Sequence, residues 1–203
     1  MPGGNLVYLD LLRHGETEGG ARYRGTTDDP LTAAGWEQMW AAVNDNARWN
    51  GIVSSPLRRC AEFARALARQ RSMPLTLDPR LAEMHFGAWE GRSAAELMSA
   101  DPEALARFWH NPAAHAPPGA EPLTRFAARV LEAWHGIVRA HPGRRVLLVT
   151  HGGVIRAILC HVLRRPIERL LELDVGHAAL HRVRAAIDAG GNIRADLVAE
   201  PGA

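Results

Sequence analysis

The sequence predicts a three-layer α/β sandwich, with a mostly parallel sheet, helices on both faces and a small inserted cap. Three observations point there. Short apolar runs alternate with amphipathic stretches along nearly the whole chain, as in successive strand–helix units. The run from Arg145 to Thr150 is apolar without alternation, which suits a central strand covered on both faces. The 203 residues contain no internal repeat and no linker long enough to divide them, so one domain is expected.

The elements follow in order. Leu6 to Leu12 reads as a strand that ends in a loop at Arg13-His14-Gly15. Thr32 is a candidate N-cap for a helix to about Ala47, with Trp36 and Trp40 on one face. Gly51 to Ser54 is a short strand, and Pro56 suits the first turn of a helix to about Gln70. Leu75 to Asp78 is another strand. Ser93 and Glu96 form a capping box before a short helix, and Asp101-Pro102 opens the next, through Trp109. His110 to Glu121, with its three prolines, is a loop.

Pro122 starts the clearest helix, with Leu123, Phe126, Ala127, Val130, Leu131, Trp134 and Ile137 on one stripe. After the Arg145 strand, Gly152-Gly153 leads into a helix that turns Val154, Ile155, Ile158, Leu159 and Val162 inward. Two closing strands are expected, from Gly176 to Val183 and from Ile193 to Ala199, around a turn at Ala189-Gly190-Gly191-Asn192. The cap is placed at about 83–121, where short helices and a Pro-rich loop stand in place of a plain crossover.

Composition excludes several classes. Charge is balanced, with 24 basic against 22 acidic residues, which argues against a nucleic-acid-binding face. All 24 basic residues are Arg, so neither a Schiff-base nor a P-loop lysine exists here. The most apolar stretch, Val146 to Ile155, is far shorter than the ~20 residues a spanning helix needs. Met1 to Asn5 has no basic region, so no leader is expected. Cys60 and Cys160 lack C-x-x-C spacing and read as reduced, buried thiols of a cytoplasmic protein.

The chemistry gathers at two strand ends. His14 and His151 each lie just past an apolar strand, and each is followed by Gly. Ligands of open α/β sheets bind in the crevice at that edge, so neighbouring strands would face the two imidazoles across one pocket. Ser55-Pro56-Leu57-Arg58-Arg59 adds arginines at a helix start, and Glu83 to Gly91 adds carboxylates in a loop. Read from the residues alone, Arg58 competes with Arg59, and Glu90 with Glu83.

These motifs resemble the histidine phosphatase superfamily, with its phosphoglycerate mutase-like fold. The resemblance rests on Leu12-Arg13-His14-Gly15-Glu16-Thr17, Gly25 with Pro30-Leu31-Thr32 and Gly35, Ser55 to Arg59, Glu83 to Gly91, and Thr150-His151-Gly152-Gly153. It covers nearly the whole chain. Phe86 to Gly91 and the short length look like the small phosphatases of the family, and most like α-ribazole phosphatase.

The resemblance implies that His14 is a nucleophile phosphorylated on a ring nitrogen. It implies that Arg13, Arg59 and His151 neutralise the phosphoryl oxygens, which arginine forks do without a metal. Glu83 is implied as the acid for the leaving alkoxide and then the base for water. Thr17, Gly20, Gly25, Thr26 and Gly152 are the implied substrate contacts. His85, Arg92, His110 and His115 in the cap are expected to read the non-phosphate half, and Trp89 and Trp109 are most simply packing residues.

Two positions depart from the family pattern. Gly20 stands where a phosphate-binding Asn is common, with Arg22, Arg24 or a backbone N–H as candidate replacements. Gly119-Ala120-Glu121-Pro122 replaces a common Gly-Gly-Glu-Ser.

The function expected is a phosphomonoesterase acting on α-ribazole 5′-phosphate in cobalamin synthesis. The rivals are a broad sugar-phosphate or nucleotide phosphatase, a phosphoglycerate mutase, and an inactive binding module. No cofactor and no metal are expected. His177 and His181 alone show ligand-like spacing, and four residues along the strand predicted there separates them too far to share one ion. The partner is a phosphorylated small molecule, with neither nucleic acid nor membrane; monomer and homodimer both stay open.

Overall fold

A computed structural model describes residues 6–43 and 48–198. Its sheet has six strands: β1 (Leu6–Arg13), β2 (Gly51–Ser54), β3 (Leu75–Leu77), β4 (Arg145–Thr150), β5 (Leu180–Ile187) and β6 (Ile193–Leu197). Their order is β3-β2-β4-β1-β5-β6. The first four are parallel, while β5 and β6 close the edge antiparallel.

Burial follows the strand pleat. Val146 and Leu148 of β4 face one side, with Leu9 and Leu11 of β1. Helices α5 (Leu123–Ala140) and α6 (Gly152–Val162) cover that side through Phe126, Val130, Trp134, Ile155 and Ile158. Leu147 and Val149 face the other side, where α1 (Ala33–Ala42) and α2 (Arg58–Arg71) pack Met39, Phe63 and Leu67. Both faces of β4 are therefore apolar, and this is why its sequence does not alternate. Asp10 is the polar exception in β1. Its carboxylate accepts from the Trp49 indole N–H at 2.7 Å and pairs with Arg145 on the adjacent strand at 2.8 Å.

Local signals account for most helix starts. Thr32 caps α1, its hydroxyl accepting from the Gly35 N–H at 2.9 Å. Ser93 and Glu96 complete the capping box of α3 (Ala94–Ala100), and Asp101 caps α4 (Pro102–His110). The α1 helix runs to Ala42; its expected end at Ala47, and Ala199 of the last strand, lie outside the described residues.

Several boundaries differ from expectation. Pro56 precedes α2 instead of entering it, because Leu57 is still extended. Pro122 is likewise the residue before α5. Leu131 lies off the buried stripe of α5, whose inner face includes Ala133 and Val138. The penultimate strand begins at Leu180, not Gly176, and continues to Ile187. That shift takes His177 out of the strand and into the preceding loop. Among the described residues, no helix is long and apolar enough to cross a membrane.

Candidate active site

β1 and β4 are neighbours, with Arg13 opposite Thr150. The His14 N–H donates to the Thr150 carbonyl at 2.9 Å, so the two strand ends are tied where their histidines begin. The His14 and His151 rings stand 5.3 Å apart, edge to face. Gly15 lets this loop press against the start of α1, since a Cβ there would fall 2.3 Å from the Gly35 carbonyl oxygen.

The His14 ring is oriented by its own loop. Nδ1 lies 2.8 Å from the Gly15 carbonyl oxygen, which can only accept, so Nδ1 carries the proton and Nε2 keeps its lone pair. Burial, then the charges of Arg59 and Arg13, hold the imidazole well below its usual pKa. His14 is therefore neutral at pH 7.

His151 is fully buried, and burial with Arg59 keeps it neutral too. Arg59 Nε donates to His151 Nδ1 at 3.2 Å, which leaves the proton on Nε2, 2.7 Å from Ser55 Oγ. The Cys60 thiol lies against the same ring, and burial pushes its pKa up to about 12.

Arg59 is also fully buried, and its terminal nitrogens donate to the carbonyls of Arg24, Gly25 and Thr27. Arg58 points out to Glu62. Arg13 donates to the Val175 carbonyl at 2.7 Å, and its buried Nε has no partner. Two desolvated guanidiniums thus meet backbone carbonyls and a ring nitrogen, with no carboxylate at ion-pair distance among the described residues. Their charge calls for an anion.

Glu83 comes from the loop after β3. The N–H of Gly153, at the start of α6, donates to Oε2 at 2.9 Å, and the Met84 N–H holds Oε1 at 2.9 Å. Glu90 has a different environment. It accepts from the N–H groups of Gly25, Thr26, Thr27 and Phe86 and from the Thr27 hydroxyl. Those bonds hold its carboxyl below the usual range and make it the clasp of the 25–27 loop.

The histidine phosphatase family model, branch 1, matches residues 9–193. The chain belongs to that superfamily. It is 37% identical over 185 residues to a bifunctional protein of Mycobacterium tuberculosis, covering 89% of this chain and 48% of that one. The chain thus spans about half the length of the first curated relatives it matches. It is 36% identical over 207 residues to a glucosyl-3-phosphoglycerate phosphatase of Mycolicibacterium vanbaalenii, covering 96% and 88%. The solved α-ribazole phosphatase of Shigella flexneri superposes with a TM-score of 0.76 at 28% identity, over 94% of both chains.

In this member of the superfamily a cavity of about 370 Å³ is lined by His14. Arg13, Glu83, Gly152, Gly153, Arg156 and His177 line its inner end. Arg59 and His151 lie behind that wall. Tyr23, Phe86, Phe108, Trp109, Phe126 and Leu171 also line the cavity.

Of the expected substrate contacts, Gly20 and Gly152 line the cavity. Thr17, Gly25 and Thr26 do not: Thr17 is buried in an isolated bridge to Leu31, and the other two turn their N–H groups to Glu90. Arg22 and Arg24 line the cavity, but their guanidiniums donate to the loop carbonyls of Gly19 and Gly20.

The four cap residues expected to read the substrate are absent from the wall. Trp109, read as packing, is part of it, while Trp89 is buried beneath. Sequence reasoning left Arg129, Arg156 and His177 without roles. Arg129 spans three carbonyls of the Glu83 loop, those of Arg80, Ala82 and Glu83, and pairs with Glu121. No motif flagged it, because the carbonyls it binds lie 46 to 49 residues away.

Proposed function

We propose that the chain is a metal-independent phosphomonoesterase that works through a phosphohistidine on His14. The observation that carries this reading is a neutral imidazole with its Nε2 lone pair free, set beside the buried Arg59 and the half-buried Arg13, neither with a carboxylate at ion-pair distance among the described residues. Nε2 attacks phosphorus in line, and the ester oxygen leaves with a proton from Glu83. Glu83, now ionised, takes a proton from water, whose oxygen attacks phosphorus and frees Nε2 and phosphate. Arg13 meets the phosphoryl oxygens at the wall, and Arg59 adds its charge from behind. His151 is neutral, so its part is to orient Arg59 against Ser55 and His14 instead of supplying charge. The 83–121 segment acts as the cap, since it contributes Phe86, Phe108 and Trp109 to the cavity wall.

The proposed substrate is α-ribazole 5′-phosphate. An outer cavity walled by aromatic rings fits a flat, largely apolar base better than a hydroxyl-rich sugar. One observation favours a second reading, a 3-phosphoglycerate ester. Arg156 spends Nε on the Leu173 carbonyl and keeps its terminal nitrogens for a carboxylate beside the phosphate. We place the enzyme in the cytoplasm.

Phosphate release in EDTA from α-ribazole 5′-phosphate, glucosyl-3-phosphoglycerate, 3-phosphoglycerate, sugar phosphates and nucleotides tests both levels. Strong preference for α-ribazole 5′-phosphate supports the full proposal. Preference for the glycerate esters moves the assignment to Arg156. No release from any member sinks the phosphatase reading.

A further inference from the structure

The loop before β5 brings a third imidazole to the site. His177 lies 5.9 Å from His14, ring centre to ring centre, with the planes tilted by 41°. It lines the cavity and is exposed, and no described residue hydrogen-bonds to it. Arg22 and Arg24 are spent on loop carbonyls, Glu96 and Asp29. At Gly20, another lining position, an added Cβ would meet nothing within 4 Å.

We propose that His177 donates a hydrogen bond to a non-bridging phosphoryl oxygen while the phosphoryl group sits on or beside His14. The proposal rests on the phosphatase reading of the same site and adds a contact to it. His177 has two ring nitrogens and no protein partner, so one N–H is available in the neutral form and two in the cation.

The charged and titratable groups facing it are Arg13 and His14 from the end of β1, and Glu16 and Arg24 from the following loop. Partial burial and Arg13 hold its pKa below the usual imidazole range; Glu16 opposes them and Arg24 adds to them. A phosphate dianion beside the ring reverses that balance. Binding therefore takes up a proton onto His177 in mildly acid solution, and the bond becomes charge-assisted.

The test is calorimetric titration with inorganic phosphate at pH 6 and pH 8, on the whole chain and two variants. At pH 6, His177→Leu is expected to bind phosphate about tenfold more weakly than wild type, with a smaller loss at pH 8. His177→Asn keeps a donor but cannot titrate. It is expected to stay within about threefold of wild type at pH 8 and to lose the extra proton uptake at pH 6, read by repeating the titration in buffers of different ionisation enthalpy. Phosphate's own titration is common to all three proteins and cancels in the comparison.

Wild-type affinity in His177→Leu at both pH values would overturn the proposal. So would undiminished proton uptake in His177→Asn, the readout that stands if the leucine variant fails to fold. The binding readout needs no turnover. A chain that binds phosphate through His177 but hydrolyses no ester removes the phosphatase reading alone, and a chain that binds no phosphate overturns both.

Discussion

The Gly153 N–H and the Glu83 carboxylate meet at 2.9 Å, at the first turn of α6. A Cβ on residue 153 would stand 2.3 Å from Glu83 Oε1. The glycine is thus required by a side chain that must sit on the helix start, and the helix dipole favours a carboxylate there. Gly153→Ala is expected to fold and to push Glu83 out of place. Hydrolysis of alkyl phosphates should fall about a hundredfold, the scale of a lost general acid. Hydrolysis of p-nitrophenyl phosphate, whose leaving group needs little protonation, should fall much less. Equal losses on both esters would separate Glu83 from leaving-group protonation.

The buried histidines set an acid limit on stability. His14 and His151 have folded-state pKa values well below 6.5, held down mainly by burial. The unfolded chain, with ordinary imidazoles, binds more protons as pH falls through 6.5. Stability from these groups is therefore present above pH 6.5 and is lost progressively as pH drops toward their folded-state values. Thermal denaturation followed from pH 7.5 to 5 should show a falling Tm, and His151→Gln should flatten that fall. The kcat/KM should hold over part of the same range, because His14 stays neutral below pH 6.5. An inactivation midpoint at 6.5 would show that His14 titrates as a solvent-exposed imidazole.

The two histidine-bearing strand ends, the alternation of strands and helices around them and most helix caps were legible in the sequence, because each is written in adjacent or regularly spaced residues. Thr32, Ser93 with Glu96, and Asp101 cap where their spacing says. Register within Ser55 to Arg59 separated Arg59, which is buried, from Arg58, which is solvated. The cavity wall was not legible. The composition of Gly176 to Val183 predicts a strand that includes His177, yet Ala178 takes φ 53°, a left-handed turn that strand pairing does not allow. The resemblance implies Gly25 and Thr26 as substrate contacts. Their N–H groups are claimed by Glu90, 64 to 65 residues away, a pairing that spacing does not reveal.

Arg129 is expected to act on both stability and rate. It joins α5 to three carbonyls ahead of Glu83 and pairs with Glu121 through two bonds of 2.8 Å. Its removal leaves those carbonyls and a half-buried carboxylate without a partner. Arg129→Met should lower the unfolding free energy by about 2–3 kcal/mol, measured by urea denaturation. The kcat for alkyl phosphates should fall more than for p-nitrophenyl phosphate, because the loop it braces carries the acid. A loss of stability with identical effects on both esters would make Arg129 a brace of α5 alone.

The outer wall gives a test of substrate shape. Trp109 is 46% exposed, unusual for tryptophan, and its indole N–H donates to the Tyr23 hydroxyl at 2.9 Å. Tyr23 in turn packs edge-on against Phe86 and Phe108. The hydrogen bond therefore ties one exposed ring of the cavity wall to an aromatic cluster. An aromatic leaving group that stacks there gains about 0.5–1.5 kcal/mol beyond simple area burial. Trp109→Ala should raise KM for α-ribazole 5′-phosphate about tenfold or more while leaving its kcat within about twofold, since the ring lies away from the reacting atoms. Phosphate release from a small ester such as glycerol phosphate, which cannot reach the mouth, should keep its KM. Tyr23→Phe removes the hydroxyl but keeps the ring; it should give a smaller KM increase on the same substrate, because Trp109 remains but is less fixed. Equal KM changes for the aromatic and the glycerol ester in Trp109→Ala would mean that the ring shapes the whole cavity and does not read the base, and the aromatic assignment of the substrate would fall with it.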